Sequence, residues 1–345
     1  MERRTFLRLL ASGTLTSFLP TCLVKPPPLS EDPFRQENAE LRAKLLGQMA
    51  DLFIEKTNYN GSRELLLTNW EWGFAKDSYK KFQQQFPKEP FPAHYNAVTV
   101  GIGTVTPTTF MDMYQFNTFK FAYTTENKQK ILKAVILHEM EHRTQTAVTY
   151  ESPKPLVNPV DNQALIDLSG VNGFVLKATT DQSTGHELNE AAAEAAAVLS
   201  LDRDYYGGRS PDRFAPTYHQ NLDAVITELG IPWQEVIEFH RAGKPFEFGK
   251  RIADELGYKV QDESREAAAG LTLAYLAADG RKRDFLGLLS NLNLQWPSQN
   301  LPLITPEASQ YPVAVVSDLW KLIPVYSLEA AQVPTYQVIF SQETS

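Results

Sequence analysis

The stretch VILHEMEHRTQT, residues 135–146, constrains this chain's folding more than any other. His138 and His142 stand four residues apart, so in a helix both project from one face on successive turns. Their ring nitrogens can then meet one zinc ion at about 2.0–2.1 Å. Glu139 lies about 100° further round the helix. That is too far to share the histidines' plane and close enough to reach a metal-bound water. It is the arrangement of two ligands and a general base in the His-Glu-x-x-His pattern. The spacing predicts a helix over about 126–147, capped by Thr124 or Thr125, with Ile131, Val135, His138 and His142 along one side. The competing structural reading is a solvated helix on which His138, Glu139, Glu141, His142 and Arg143 form surface pairs.

A catalytic zinc usually takes three protein ligands and a water. His94 falls in a loop, and His219 and His240 are isolated in the sequence. A second helix is predicted over about 185–201, GHELNEAAAEAAAVLSL, and it offers His186, Glu187, Glu190 and Glu194. Thr184-x-x-Glu187 reads as a capping box, which gives Glu187 a structural task. Glu190 and Glu194 share a face within a run of alanines. Carboxylates there are costly unless paired or metal-bound. On the residues alone Glu190, Glu187 and His186 are all candidates for the third ligand.

HEMEH followed by a helix carrying NEAAAE resembles the gluzincin metallopeptidases, over about residues 131–200. The resemblance implies a zinc cofactor held by His138, His142 and Glu190. It implies Glu139 as the base that assists attack of a zinc-bound water on a peptide bond. Glu194 would be the carboxylate that hydrogen-bonds a ligand histidine from behind. This chain departs from the family in having Glu194 where Asp is usual. It also has a longer interval between His142 and Glu190, and charged Glu141 and Arg143 where the family keeps uncharged residues. The oxyanion needs a second donor, and Tyr206 and His219 are the candidates to test, beside Tyr205 and Tyr218. The implied substrate is a peptide or protein. Two other readings are a non-catalytic envelope lipoprotein with a structural or vestigial metal site, and a zinc hydrolase acting on another amide, such as one in the cell wall.

The rest of the chain frames that pair. Hydrophobic residues make up 43% and charged residues 21% of 345, an ordinary globular balance. A net charge of −8 argues against nucleic acid as a partner, because phosphate backbones need a basic footprint. Arg3, Arg4 and Arg8 precede an apolar run from Leu9 to Leu19, as in an export signal. ERRTFLR resembles the twin-arginine signal, and Cys22 after LPT resembles a bacterial lipobox. These features predict an exported bacterial envelope protein, anchored to the membrane through lipidated Cys22. Plain secretion or no export are the alternatives. The expected organisation is a signal peptide at 1–21 and a Pro-rich tether at 22–36. A zincin-like catalytic domain at 37–210 and a mainly helical subdomain at 211–345 follow. The expected class is α+β. A small sheet is predicted from AVTVGIGTV and FKFAYTT, an amphipathic helix over 37–56 from Leu41, Leu45, Met49 and Leu52, and irregular connection over 150–183. The C-terminal TYQVIF is a further candidate strand.

Overall fold

The computed structural model describes residues 33–73, 84, 97–104, 106–113, 125–180, 183–201, 217–298 and 301–303. The expected signal segment, Cys22, most of the tether, His94, FKFAY, Tyr205, Tyr206 and TYQVIF lie outside these residues. The fold is α+β, with helices around two small sheets. Among the described residues no helix is long and apolar enough to cross a membrane.

Helix α1 (Ala39–Lys56) and the short α2 (Arg63–Leu67) lead into strand β1 (Trp70–Gly73). The core-facing stripe of α1 centres on Leu45, Leu46, Met49 and Phe53, and Leu41 and Leu52 flank it half-buried. β1 pairs in parallel with β3 (Thr108–Asp112), and β3 pairs antiparallel with β2 (Ala97–Val100). Among the described residues of AVTVGIGTV only the first four are strand, because Gly101 and Gly103 take positive φ and turn the chain.

Helix α3 (Thr125–Thr144) carries the two histidines and ends before β4 (Ala147–Val157). Here the expected irregular segment is instead a second, antiparallel sheet. Strands β5 (Ala164–Asn172), β6 (Val175–Ala178) and β7 (Ser183–Thr184) complete it in the order β4-β5-β6-β7. Pro153 and Pro155 disguise β4. It is an edge strand, mostly exposed, with a bulge between Thr149 and Lys154, and proline is tolerated at such positions.

Helix α4 (His186–Ser200) begins at Gly185, whose φ of 89° makes a left-handed N-cap without a side-chain bond. The expected Thr184–Glu187 capping box is therefore absent. A side chain at 185 would collide with Phe174 O and the Tyr275 ring, so packing selects glycine over a capping hydroxyl. The C-terminal helices follow as expected: α5 (Thr217–Glu228), α6 (Trp233–Arg241), α7 (Pro245–Glu255), α8 (Glu263–Ala278) and α9 (Lys282–Asn291). Asp262 caps α8 by accepting from the N–H groups of Ser264 and Arg265.

Two apolar cores meet along α4. Leu188, Ala191 and Ala192 join Phe174, Leu222, Phe248 and Tyr275 in a core shared by the second sheet and the C-terminal helices. Ala195, Ala196 and Ala197 join Phe53, Leu132, Ile136 and Met140 in the other. The alanines allow α3 and α4 to pack closely. That brings a carboxylate on one helix within reach of an imidazole on the other.

The α7–α8 crossing is tighter still. A Cβ at Gly270 would run into Gly249 O, and one at Gly249 would meet Ala267 O and Leu271. Neither glycine has a positive φ, and alanine is the better helix former by roughly 1 kcal/mol. Steric overlap with rigid backbone outweighs that preference. Gly270→Ala is expected to destabilise the protein by about 2–3 kcal/mol, measured as a lower urea midpoint. A raised midpoint would contradict the close crossing.

Candidate metal centre

Three side chains converge where α3 faces α4. His138 Nε2 and His142 Nε2 are 3.0 Å apart. Glu190 Oε2 lies 3.0 Å from His138 Nε2, and its Oε1 lies 3.3 Å from His142 Nε2. Ligands at about 2.0–2.1 Å on a tetrahedral zinc would stand roughly 3.3–3.4 Å apart; the two contacts of Glu190 are made by different oxygens, and one ligand atom from each residue falls within 4.8 Å of the others. The imidazole of His142 is 7% exposed, that of His138 14%, and the Glu190 carboxyl 30%. The cluster is thus walled by protein yet open on the Glu190 side. The chain brings Glu190 to the histidines, and not Glu187 or His186. His186 is exposed and bonded to Ser183 Oγ, and Glu187 is half-buried outside the cluster.

The charges of this cluster are mutually set. Burial alone would depress His138, but Glu190 and Glu194 hold its proton, and the balance lies well above the ordinary histidine value. Burial would raise Glu190, but the two histidines bring it well below the ordinary carboxylate value. A carboxylate among imidazoles is thus kept anionic, as a cation ligand must be.

Behind the three side chains lies a polar layer. Glu194 Oε2 stands 3.3 Å from His138 Nδ1, which leaves Nε2 to face the cluster. The Gln145 amide is 2.8 Å from His142 Nδ1, and the Asn189 amide is 3.5 Å away. Asn189 Oδ1 accepts from Phe174 N–H and lies 3.0 Å from His240 Nε2, which also touches Gln145 at 2.7 Å. A histidine that ligates through Nε2 carries its proton on Nδ1 and needs an acceptor there. Gln145 supplies that acceptor when its amide is turned so that the oxygen faces the two rings, the amide's two ends being interchangeable in shape.

His240 Nδ1 in turn meets Glu141 Oε1 at 2.8 Å, and Arg241 holds Glu141 Oε2 through Nε at 3.0 Å and Nη2 at 2.7 Å. Arg241 also donates to Thr57 O and Oγ1, and its guanidinium lies over Phe53 and Tyr59. These partners correct two expectations. Glu141 and Arg143 are 0% and 1% exposed, so α3 is not a solvated surface of loose ion pairs. His240, isolated in the sequence, is tied to both sides of the site. Burial would raise Glu141, but Arg241 and His240 bring it below the usual carboxylate range. Burial pushes Arg143 down to about 10, against the pull of Glu139, so it remains a cation at neutral pH.

Glu139 is 5% exposed and accepts from Thr99 Oγ1 at 2.6 Å through Oε2. It lies outside the triangle, near enough to His138 for its charge to help raise that histidine's pKa. His219 is 7% exposed, stacked on Trp233 at 4.9 Å, and neither ring nitrogen has a hydrogen-bond partner among the described residues. Burial lowers its pKa, opposed by Glu194 and Asp223. Tyr218 is half-buried against the core, and Tyr206 lies outside the described residues. Sequence reasoning missed Thr99, Gln145, Asn189, His240 and Arg241 as parts of the site. Gln145 stands three residues after His142, a local spacing that could have marked it, whereas the others lie roughly forty to a hundred residues from what they touch. Comparison with protein-family models, curated proteins and solved structures finds no match for this chain.

Proposed function

We propose that this chain is a zinc-dependent peptidase of the gluzincin type. The observation that carries this reading is the convergence of His138 Nε2, His142 Nε2 and the Glu190 carboxylate, whose two oxygens lie 3.0 and 3.3 Å from the two rings. Two imidazoles and one carboxylate match a catalytic zinc set that keeps a fourth position open. Glu194 and Gln145 occupy the Nδ1 positions where ligand histidines need an acceptor. When bound, zinc supplies a Lewis acid and acidifies a coordinated water.

The protein's own groups then have distinct tasks. His138, His142 and Glu190 orient the site. Glu139 takes the proton of the attacking water and delivers it to the leaving amine. Strand β2 carries Thr99, which touches Glu139, and in the described sheet β2 pairs only with β3. Its other edge can take an extended peptide by strand addition. The same reading takes the chain as exported to the bacterial envelope, with Cys22 lipidated and a peptide or protein as substrate.

Glu139→Gln tests the reading directly. The variant is expected to keep one zinc per chain, measured by elemental analysis. Cleavage of an unfolded protein, followed by mass spectrometry, should fall by about 10²–10⁴-fold. A wild type without stoichiometric zinc would end the proposal. Zinc without any hydrolysis in the wild type would favour the non-catalytic lipoprotein.

A further inference from the structure

Glu139 is held from the sheet side by a hydrogen-bond chain whose direction is fixed. Arg143 Nη1 donates to Thr109 Oγ1 at 2.8 Å. The Thr109 and Thr99 hydroxyls are 2.8 Å apart, and Thr99 Oγ1 bonds Glu139 Oε2 at 2.6 Å. A guanidinium has no acceptor, and a hydroxyl has one proton. Thr109 therefore accepts from Arg143 and gives its proton to Thr99, and Thr99 gives its own to Glu139. Thr99 and Thr109 are cross-strand partners in the β2–β3 register, so the pleat itself places the hydroxyls together. The far end is anchored too. Arg143 donates to Leu65 O at 2.9 Å and to Thr68 O, and lies over the Trp70 ring. Every member is buried: Thr99 is 8% exposed, Thr109 0%, Arg143 1% and Glu139 5%. Hydrogen bonds in such a place are strengthened by the low local dielectric.

We propose that Thr99 is the positioning residue for Glu139, with Thr109 and Arg143 fixing the direction of its hydroxyl. The chain pins Oε2 and so sets the carboxylate's rotation. Oε1, with no bond to the described residues, is then the oxygen turned to the attacking water. Arg143 thus has a task beyond packing. The kinetic consequence rests on the peptidase reading, whereas the placement of the carboxylate does not.

Thr99→Val, which keeps the shape and removes the hydroxyl, separates the two. The full-length variant is expected to retain one zinc per chain and the wild-type KM, while kcat falls about 10–100-fold. Thr99→Ser should restore kcat to within a few-fold, and Thr109→Val should give a smaller loss. In crystals of zinc-loaded Thr99→Val, the Glu139 carboxylate should leave its present rotamer. A kcat within twofold of wild type, or a carboxylate that stays in place, would overturn the inference. Should the wild type cleave nothing, the peptidase reading fails alone, provided the carboxylate still moves in Thr99→Val.

Discussion

Glu190→Ala is expected to release zinc from the folded protein. Structural zinc sites bind with about 10–16 kcal/mol at neutral pH. Spread over four positions, that is roughly 3 kcal/mol or more per ligand, or about 10²–10³-fold in affinity. Glu190 does more than supply an oxygen, since its two oxygens contact both histidines. Its loss leaves Nε2 groups 3.0 Å apart with no anion between them, and the strongest support for the raised His138 pKa disappears. Glu187→Ala and His186→Ala, on the same turn of α4 but outside the cluster, should bind zinc within about threefold of wild type. Titration with a competing chelator measures all three. An unchanged affinity in Glu190→Ala, or a large loss in Glu187→Ala, would reassign the third ligand.

That comparison also marks how far the residues alone carried the reading. The i, i+4 spacing of His138 and His142 was enough to place two rings on one face, because helix geometry is local. The choice among His186, Glu187 and Glu190 was not local. It depends on how α4 meets α3, which the alanines and Gly185 settle through close packing. The second sheet was hidden for a similar reason. Pro153 and Pro155 argue against a strand until the strand is known to be a bulged edge. The mainly helical character of the chain after about 217, by contrast, was legible, and residues 217–291 carry five helices. The charged residues within and beside HEMEH were the hardest to read. Their partners include Thr99, Thr109, His240 and Arg241, and only the tertiary fold brings these to α3.

Glu141→Ala is where that difference has its largest expected cost. Were Glu141 on a solvated face, removing it would cost well under about 1 kcal/mol. It is 0% exposed, paired with Arg241 and bonded to His240. Removing one member of a buried pair strands the other and costs about 3–5 kcal/mol. Arg241 keeps its bonds to Thr57, so about 3 kcal/mol is expected, read as a lowered urea midpoint at pH 7. The pH dependence has a definite sign. A carboxyl held below its unfolded value of about 4.3 stabilises the fold above that pH, and the contribution is lost as pH falls through the folded value. Glu141→Gln should therefore show a flatter acid limb than wild type. The same variants should bind zinc about 10-fold more weakly, since Glu141 holds His240, and His240 braces the two amides on His142. Lost stability with unchanged zinc affinity would confine Glu141 to the core. Unchanged stability would contradict the buried pair itself.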